Sequence, residues 1–200
     1  MNFIREYYLS DTGICEKLIE FYNICKTLGF TSPGFTGKYQ VNKKVKDSED
    51  LAVESLGQGK GNPLIPTPDA FGYNSVMKQF SDLIPKYYTD TNAPWNQEVQ
   101  FKSPPHFQHY KPGGGYHAWH CDAFADCIDR HLAFILYLND VPNGGTEFFH
   151  QKYICEAKKG KILIFPASFC YSHRSQISMT QEKYILTGWA SANLPPRAAR

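Results

Sequence analysis

The chain has 200 residues, 42% hydrophobic and 20% charged, with 21 basic against 19 acidic side chains for a net charge of +2. A domain of this length buries about 70% of its unfolded surface, so a core is possible without staples, and the composition excludes a disordered chain. The near balance of charge argues against nucleic acid as the default partner, and no apolar run approaches the roughly 20 residues of a membrane helix.

In chain order, Met1–Glu6 shows no basic stretch followed by an apolar run, so no secretory signal is expected and the protein is read as cytoplasmic. Ser10 or Asp11 is placed to cap a first helix, where Ile14, Leu18, Phe21, Tyr22 and Cys25 recur at helical spacing and Gly29 marks the stop. The polar stretch Lys38–Asn62 reads as a solvated loop or as a lid near a site, with Lys43, Lys44 and Lys46 as ordinary solvated charges. A second helix is predicted from Ser75 to Tyr88, with Val76, Phe80, Leu83 and Tyr87 on one face. After Pro94, β-branched and aromatic segments alternate with turns, predicting strands at Glu98–Lys102, His106–Tyr110, Leu132–Leu138, Glu147–Phe149, Lys152–Glu156, Lys161–Phe165, Tyr171–Gln176 and Lys183–Ala190. Pro142–Gly145 and Lys158–Lys161 carry turn chemistry. Two helices followed by short strands imply a mostly β fold with flanking helices (α+β), a jelly roll or barrel with the helices packed outside. One domain is expected: a helical support region with the polar loop (1–95), a jelly-roll core (96–192) and a tail (193–200). The six cysteines (Cys15, Cys25, Cys121, Cys127, Cys155, Cys170) form no CxxC pair and are read as reduced thiols, mostly core.

The chemistry concentrates in Tyr110–Asp122, where His120 and Asp122 stand two residues apart. On a strand such residues share a face, so an imidazole and a carboxylate can meet one ion. A histidine from another strand would complete a two-His, one-carboxylate set, which leaves positions open on Fe(II). Alone, His-x-Asp is a weak signal. Cys121, between them, alternates away, as does His117. His106 and His109 are placed on a strand edge with substrate contact as an option, and Arg174 toward solvent or substrate.

Five features in order strengthen the signal: Tyr110 with a Gly-rich turn before His120-x-Asp122; Leu136-Tyr137-Leu138-Asn139; Gly144-Gly145-Thr146-Glu147-Phe148; Lys159-Gly160-Lys161-Ile162-Leu163-Ile164-Phe165; and His173 with Lys183-Tyr184 and Trp189 beyond it. Residues 106–190 thereby resemble the prolyl-4-hydroxylase-like branch of the 2-oxoglutarate- and Fe(II)-dependent dioxygenases. The resemblance implies a double-stranded β-helix, with His120, Asp122 and His173 as iron ligands and Lys183 pairing with the distal carboxylate of 2-oxoglutarate. His173 is preferred to His150 because Lys183 follows it at the family's interval. Tyr110 and Tyr137 are implied near the co-substrate. Thr187, on the face of Lys183, is expected to add a hydroxyl, and Trp189 to pack behind the pocket. The implied reaction is hydroxylation of an unactivated C–H bond with Fe(II), 2-oxoglutarate and O2, releasing succinate and CO2, with ascorbate as an accessory reductant.

A peptidyl proline is the substrate the resemblance favours, in a flexible segment that Tyr39, Phe71, Tyr73 and Trp119 could receive. A free amino acid, a small metabolite or a nucleic-acid base remains the alternative within the same chemistry. A non-catalytic jelly-roll binding module is the alternative of another class, and a Zn or Mn cupin ranks below both. No oligomeric state is legible.

Overall fold

The computed structural model describes residues 2–37, 40–54, 56, 66–93 and 98–192. Tyr39, part of the Lys38–Asn62 stretch and the 193–200 tail lie outside these. The first helix, α1 (Ile14–Thr27), buries Ile14, Cys15, Leu18, Phe21, Tyr22 and Cys25, the stripe its spacing predicts. Neither expected cap forms. Gly13 is the N-cap, the Asp11 carboxylate accepts from the Gly13 N–H at 2.8 Å, and the Ser10 hydroxyl turns to Gln79. Gly29 follows the helix at φ +80°, the left-handed stop a glycine supplies. The second helix, α2 (Tyr73–Asp90), starts two residues before the predicted Ser75 and runs through Pro85. Among the described residues, no helix is long and apolar enough to cross a membrane.

The strands, in chain order, are β1 (Arg5–Tyr8), β2 (Ser32–Pro33), β3 (Lys46–Asp47), β4 (Glu49–Ala52), β5 (Val99–Phe101), β6 (His106–Tyr110), β7 (Gly115–Tyr116), β8 (Arg130–Tyr137), β9 (Val141–Phe148), β10 (Tyr153–Ala157), β11 (Lys161–Pro166), β12 (His173–Ser175) and β13 (Lys183–Ala192). Eight form a major sheet in the order β1-β11-β8-β13-β6-β4-β2, with β5 also on β13; β10-β9-β12 form a minor sheet and β3-β7 a separate pair. The pairings are antiparallel.

The major sheet is buried on both faces, which explains its apolar runs. Along β8, Leu132, Phe134 and Leu136 join the core beneath α1 and α2, whereas Ala133, Ile135 and Tyr137 join the core between the two sheets. β11 repeats the division, with Ile162 and Ile164 toward the helices and Leu163 and Phe165 inward. A period of two thus sorts one continuous hydrophobic run into two cores.

Three expectations change. The N-terminal part supplies four strands besides its helices: β1 pairs with β11, β4 with β6, β2 with β4 and β3 with β7. These strands are short and polar, so their pairing comes from the sheet edges they meet. Residues 46–47 and 49–52 of the supposed lid are therefore sheet, and Lys46 is no solvated charge: it is buried with its Nζ 2.5 Å from Asp50. Finally, Pro142–Gly145 belongs to β9. The register steps from Cys155↔Thr146 to Ala157↔Val141, so the turn chemistry makes a bulge there, with Asn143 at φ 55°.

Candidate active site

His173 opens β12 in the minor sheet. Opposite it, the 117–124 segment is irregular apart from one bridge, so the His-x-Asp pair does not stand on a regular strand. His120 N–H donates to His173 O at 3.1 Å and His173 N–H to His120 O at 2.9 Å. Asp122 N–H donates to Ala167 O at 3.1 Å. These bonds fix the segment against His173 and Ala167, and the two-residue spacing brings both side chains to one point. One donor atom from each of His120, Asp122 and His173 lies within 4.8 Å of the others, and His173 Nε2 stands 3.7 Å from Asp122 Oδ2. Among the described residues no other group of three such side chains forms.

Both imidazoles are turned the same way by main-chain acceptors. His120 Nδ1 lies 3.2 Å from Ala118 O, and His173 Nδ1 lies 3.0 Å from Tyr171 O. A carbonyl only accepts, so each Nδ1 carries the proton and each Nε2 offers a lone pair. Aromatic neighbours lock the rings: Tyr116 stacks on His120 at 3.6 Å between centroids, and Phe165 meets His173 edge-on at 4.8 Å. Burial, followed by the neighbouring His173, lowers the His120 pKa to about 4. His120 is therefore neutral near pH 7, the form that ligates metal. The donor set of two imidazole nitrogens and one carboxylate oxygen suits Fe(II).

Lys183 begins β13 and is 4% exposed. Its Nζ donates to Gly144 O at 2.7 Å, in the β9 bulge, and lies 4.9 Å from the centre of the Tyr110 ring. Among the described residues no carboxylate pairs with it, and burial lowers its pKa to about 7. An unpaired buried lysine suits an incoming anion, whose charge would restore its own. Lys183 stands opposite Tyr110 in the β13–β6 ladder. Tyr137 is buried, with its hydroxyl 2.6 Å from that of Thr146. Thr187 faces inward too, but its hydroxyl donates to Phe134 O at 2.9 Å and so ties β13 to β8.

The remaining sequence candidates separate. His109 is not at an edge: it is 3% exposed, stacked on Tyr184 at 4.3 Å, with Nε2 3.1 Å from Glu182 Oε2 on the helix side of β6. His106 lies edge-on to Trp189 at 6.1 Å. Arg174 pairs with Glu147 at 2.9 Å and covers Trp119 at 4.3 Å; strand alternation puts this pair on the face opposite His173. Phe71 and Tyr73 pack in the helical core. Trp119 stays part-exposed beside Phe149. The Cys121 thiol turns to Ala123 O. Trp189 packs against the inner core as expected, with the Arg130 guanidinium 3.5 Å over its ring.

Sequence reasoning did not single out Gln108, which accepts from the Tyr110 hydroxyl at 2.6 Å, nor Thr146. Period-two alternation from Tyr110 would have found Gln108. Thr146 reaches Tyr137 from the minor sheet, which no local pattern foretells.

Residues 105–191 match the 2OG-Fe(II) oxygenase superfamily. No curated protein sequence matches the chain. Among solved structures it is similar to a Pseudomonas putida prolyl-4-hydroxylase, at 17% identity and TM-score 0.66, covering 96% of this chain and 94% of that one. A viral collagen prolyl hydroxylase from Paramecium Bursaria Chlorella virus-1, in its 2OG complex, is similar at 18% identity and TM-score 0.64, covering 95% and 96%. A Trichoplax adhaerens prolyl hydroxylase, in complex with a hypoxia inducible factor oxygen degradation domain peptide fragment, reaches TM-score 0.69 at 14% identity, covering 96% and 84%. The fold is that of the prolyl hydroxylases. The matched residues carry oxygenase chemistry, an oxidoreductase activity whose cofactor and co-substrates are Fe(II), 2-oxoglutarate and O2.

Proposed function

We propose that the protein hydroxylates a proline within a peptide, with His120, Asp122 and His173 as the iron ligands and Lys183 as the partner of the 2-oxoglutarate distal carboxylate. When bound, iron with 2-oxoglutarate and O2 supplies the oxidising power: one oxygen atom enters a C–H bond as hydroxyl, and the other leaves in succinate as CO2 is released. Everything else falls to the protein. Ala118 O and Tyr171 O orient the two imidazoles, leaving both Nε2 atoms toward one point. Lys183 has no acidic partner among the described residues, so a carboxylate arriving there gains a charge-assisted bond in a dry site. Tyr137, braced by Thr146, and Tyr110, opposite Lys183, add hydroxyls beside that cation. Thr187 is assigned a bracing role, since its proton is already given to Phe134 O. The inner walls exclude water and fix geometry, which is the protein's share in cofactor chemistry.

The observation that carries the iron assignment is the convergence of three donors from two segments some 50 residues apart, which main-chain bonds hold together. For the substrate, the support is likeness along 95–96% of the chain to prolyl hydroxylases, one of them holding a peptide. The test has two stages. Anaerobic Fe(II) and 2-oxoglutarate should give the weak visible charge-transfer band of the chelate, and His173→Ala should abolish it. Proline-containing peptides are then screened by mass spectrometry for the gain of one oxygen on proline. Folded protein without the band would sink the iron assignment; a band with oxygen gained only on other compounds would sink the proline assignment alone.

A further inference from the structure

We propose that Gln108 is a positioning residue for the co-substrate: by reversing its hydrogen bond to Tyr110 it releases the phenol proton to the incoming carboxylate. This rests on the reading above that Tyr110 faces 2-oxoglutarate. The Tyr110 side chain is buried, 2% exposed, on the inner face of β6 opposite Lys183. Burial holds its hydroxyl far above its ordinary pKa, so it remains a phenol with one proton to give. In this structure that proton goes to Gln108 Oε1, at 2.6 Å.

A carboxylate has only acceptor oxygens. In the present arrangement Tyr110 would therefore meet it with lone pairs, which repel. The carboxamide of Gln108 offers a way out, because it carries an acceptor and a donor on one rotor. After a half turn, its N–H2 donates to the phenol oxygen and the phenol O–H is free to donate to the co-substrate. The reversal exchanges one bond between the pair for another. Among the described residues, Gln108 makes no other side-chain hydrogen bond, so nothing else has to break. An alanine or an aliphatic side chain at this position would leave Tyr110 free at all times; a glutamate, which when ionised cannot donate, would hold the proton permanently. Glutamine alone among these lets Tyr110 be satisfied both before and after co-substrate binds, which keeps the buried hydroxyl from being stranded in either state.

The test is a double-mutant cycle on 2-oxoglutarate affinity, read by calorimetry with Mn(II) in place of Fe(II) near neutral pH, so that no turnover is involved. Tyr110→Phe alone should weaken 2-oxoglutarate by about tenfold, the worth of one charge-assisted bond. In a Gln108→Glu background the same Tyr110→Phe change should cost less than about twofold, because the phenol proton is already captured. The added negative charge of Glu weakens affinity in both members of that pair and cancels from the comparison. An equal cost of Tyr110→Phe in both backgrounds overturns the role of Gln108. No cost of Tyr110→Phe in the wild-type background removes Tyr110 from the co-substrate site and the proposal with it, while leaving the metal and Lys183 assignments standing. If Gln108→Glu fails to fold, Gln108→Met decides: a 2-oxoglutarate affinity tighter than wild type supports the proposal, and an equal or weaker one overturns it.

Discussion

At the scale of single residues, Lys183 has the sharpest consequence. Its pKa is lowered to about 7 by burial alone, well below that of a lysine in water. Binding a carboxylate requires the ammonium. Below pH 7 the free protein already carries it; above pH 7 the proton must be taken up on binding. The expected outcome is a 2-oxoglutarate affinity that is flat on the acid side and weakens by up to about tenfold per pH unit above about pH 7. Calorimetry with Mn(II), from about pH 6 to about pH 9, measures this directly, and proton uptake can be read by changing the buffer's ionisation enthalpy. Lys183→Met should weaken binding and flatten the profile. A slope unchanged in that variant would assign the titration to another group.

At the scale of elements, the β9 bulge supplies the carbonyl that Lys183 meets. Gly144 turns its carbonyl to Lys183, and next to it Gly145 runs so close to β10 that a Cβ would overlap the Cys155 carbonyl oxygen. Backbone cannot give way as a flexible side chain can. Gly145→Ala should therefore destabilise the protein by about 3 kcal/mol, the upper part of the range for overpacking. Urea denaturation checks it, and a wild-type midpoint would mean that the bulge relaxes. Gly188 on β13 has the same logic, since a Cβ there would meet Pro105 Cγ at 2.8 Å. Both glycines stand where two chain segments touch, and neither has the positive φ that usually betrays a required glycine.

At the scale of the whole molecule, the jelly roll depends on its helical layer. Leu132, Phe134, Leu136, Ile162, Ile164 and Leu186 all face α1 and α2. Removing residues 1–92 would lay this face open and take away β1, β2, β3 and β4, although every candidate site residue would remain. Burial of large side chains is worth about 1.5–3 kcal/mol each, far beyond what a small domain can forgo. The expected result is a 93–200 fragment that lacks near-ultraviolet circular dichroism and binds a hydrophobic dye. A cooperative unfolding transition in that fragment would refute the dependence.

The amino-acid sequence by itself determined both helices, the order of the β segments after Pro94 and the His120-x-Asp122 pair, whereas His173 was singled out only through the family resemblance. Those features are written locally: a helical stripe, an alternation, a two-residue spacing. Lys183 was legible only with the family's interval to His173, because no local pattern marks a buried lysine. Tertiary structure alone decided the rest. The polar strands β1 to β4 have no pattern of their own and exist because sheet edges offer their backbones partners. Lys46 was hidden from the sequence because its burial and its pairing with Asp50 depend on where β3 and β4 land. Thr187 shares a face with Lys183, as alternation requires, yet its hydroxyl is spent on Phe134 O, a partner 53 residues away. Gln108 has the same face as Tyr110 by the same rule, but only the fold shows which of the two holds the proton. Alternation tells which way a side chain points; which partner it meets is settled by strands far apart in sequence.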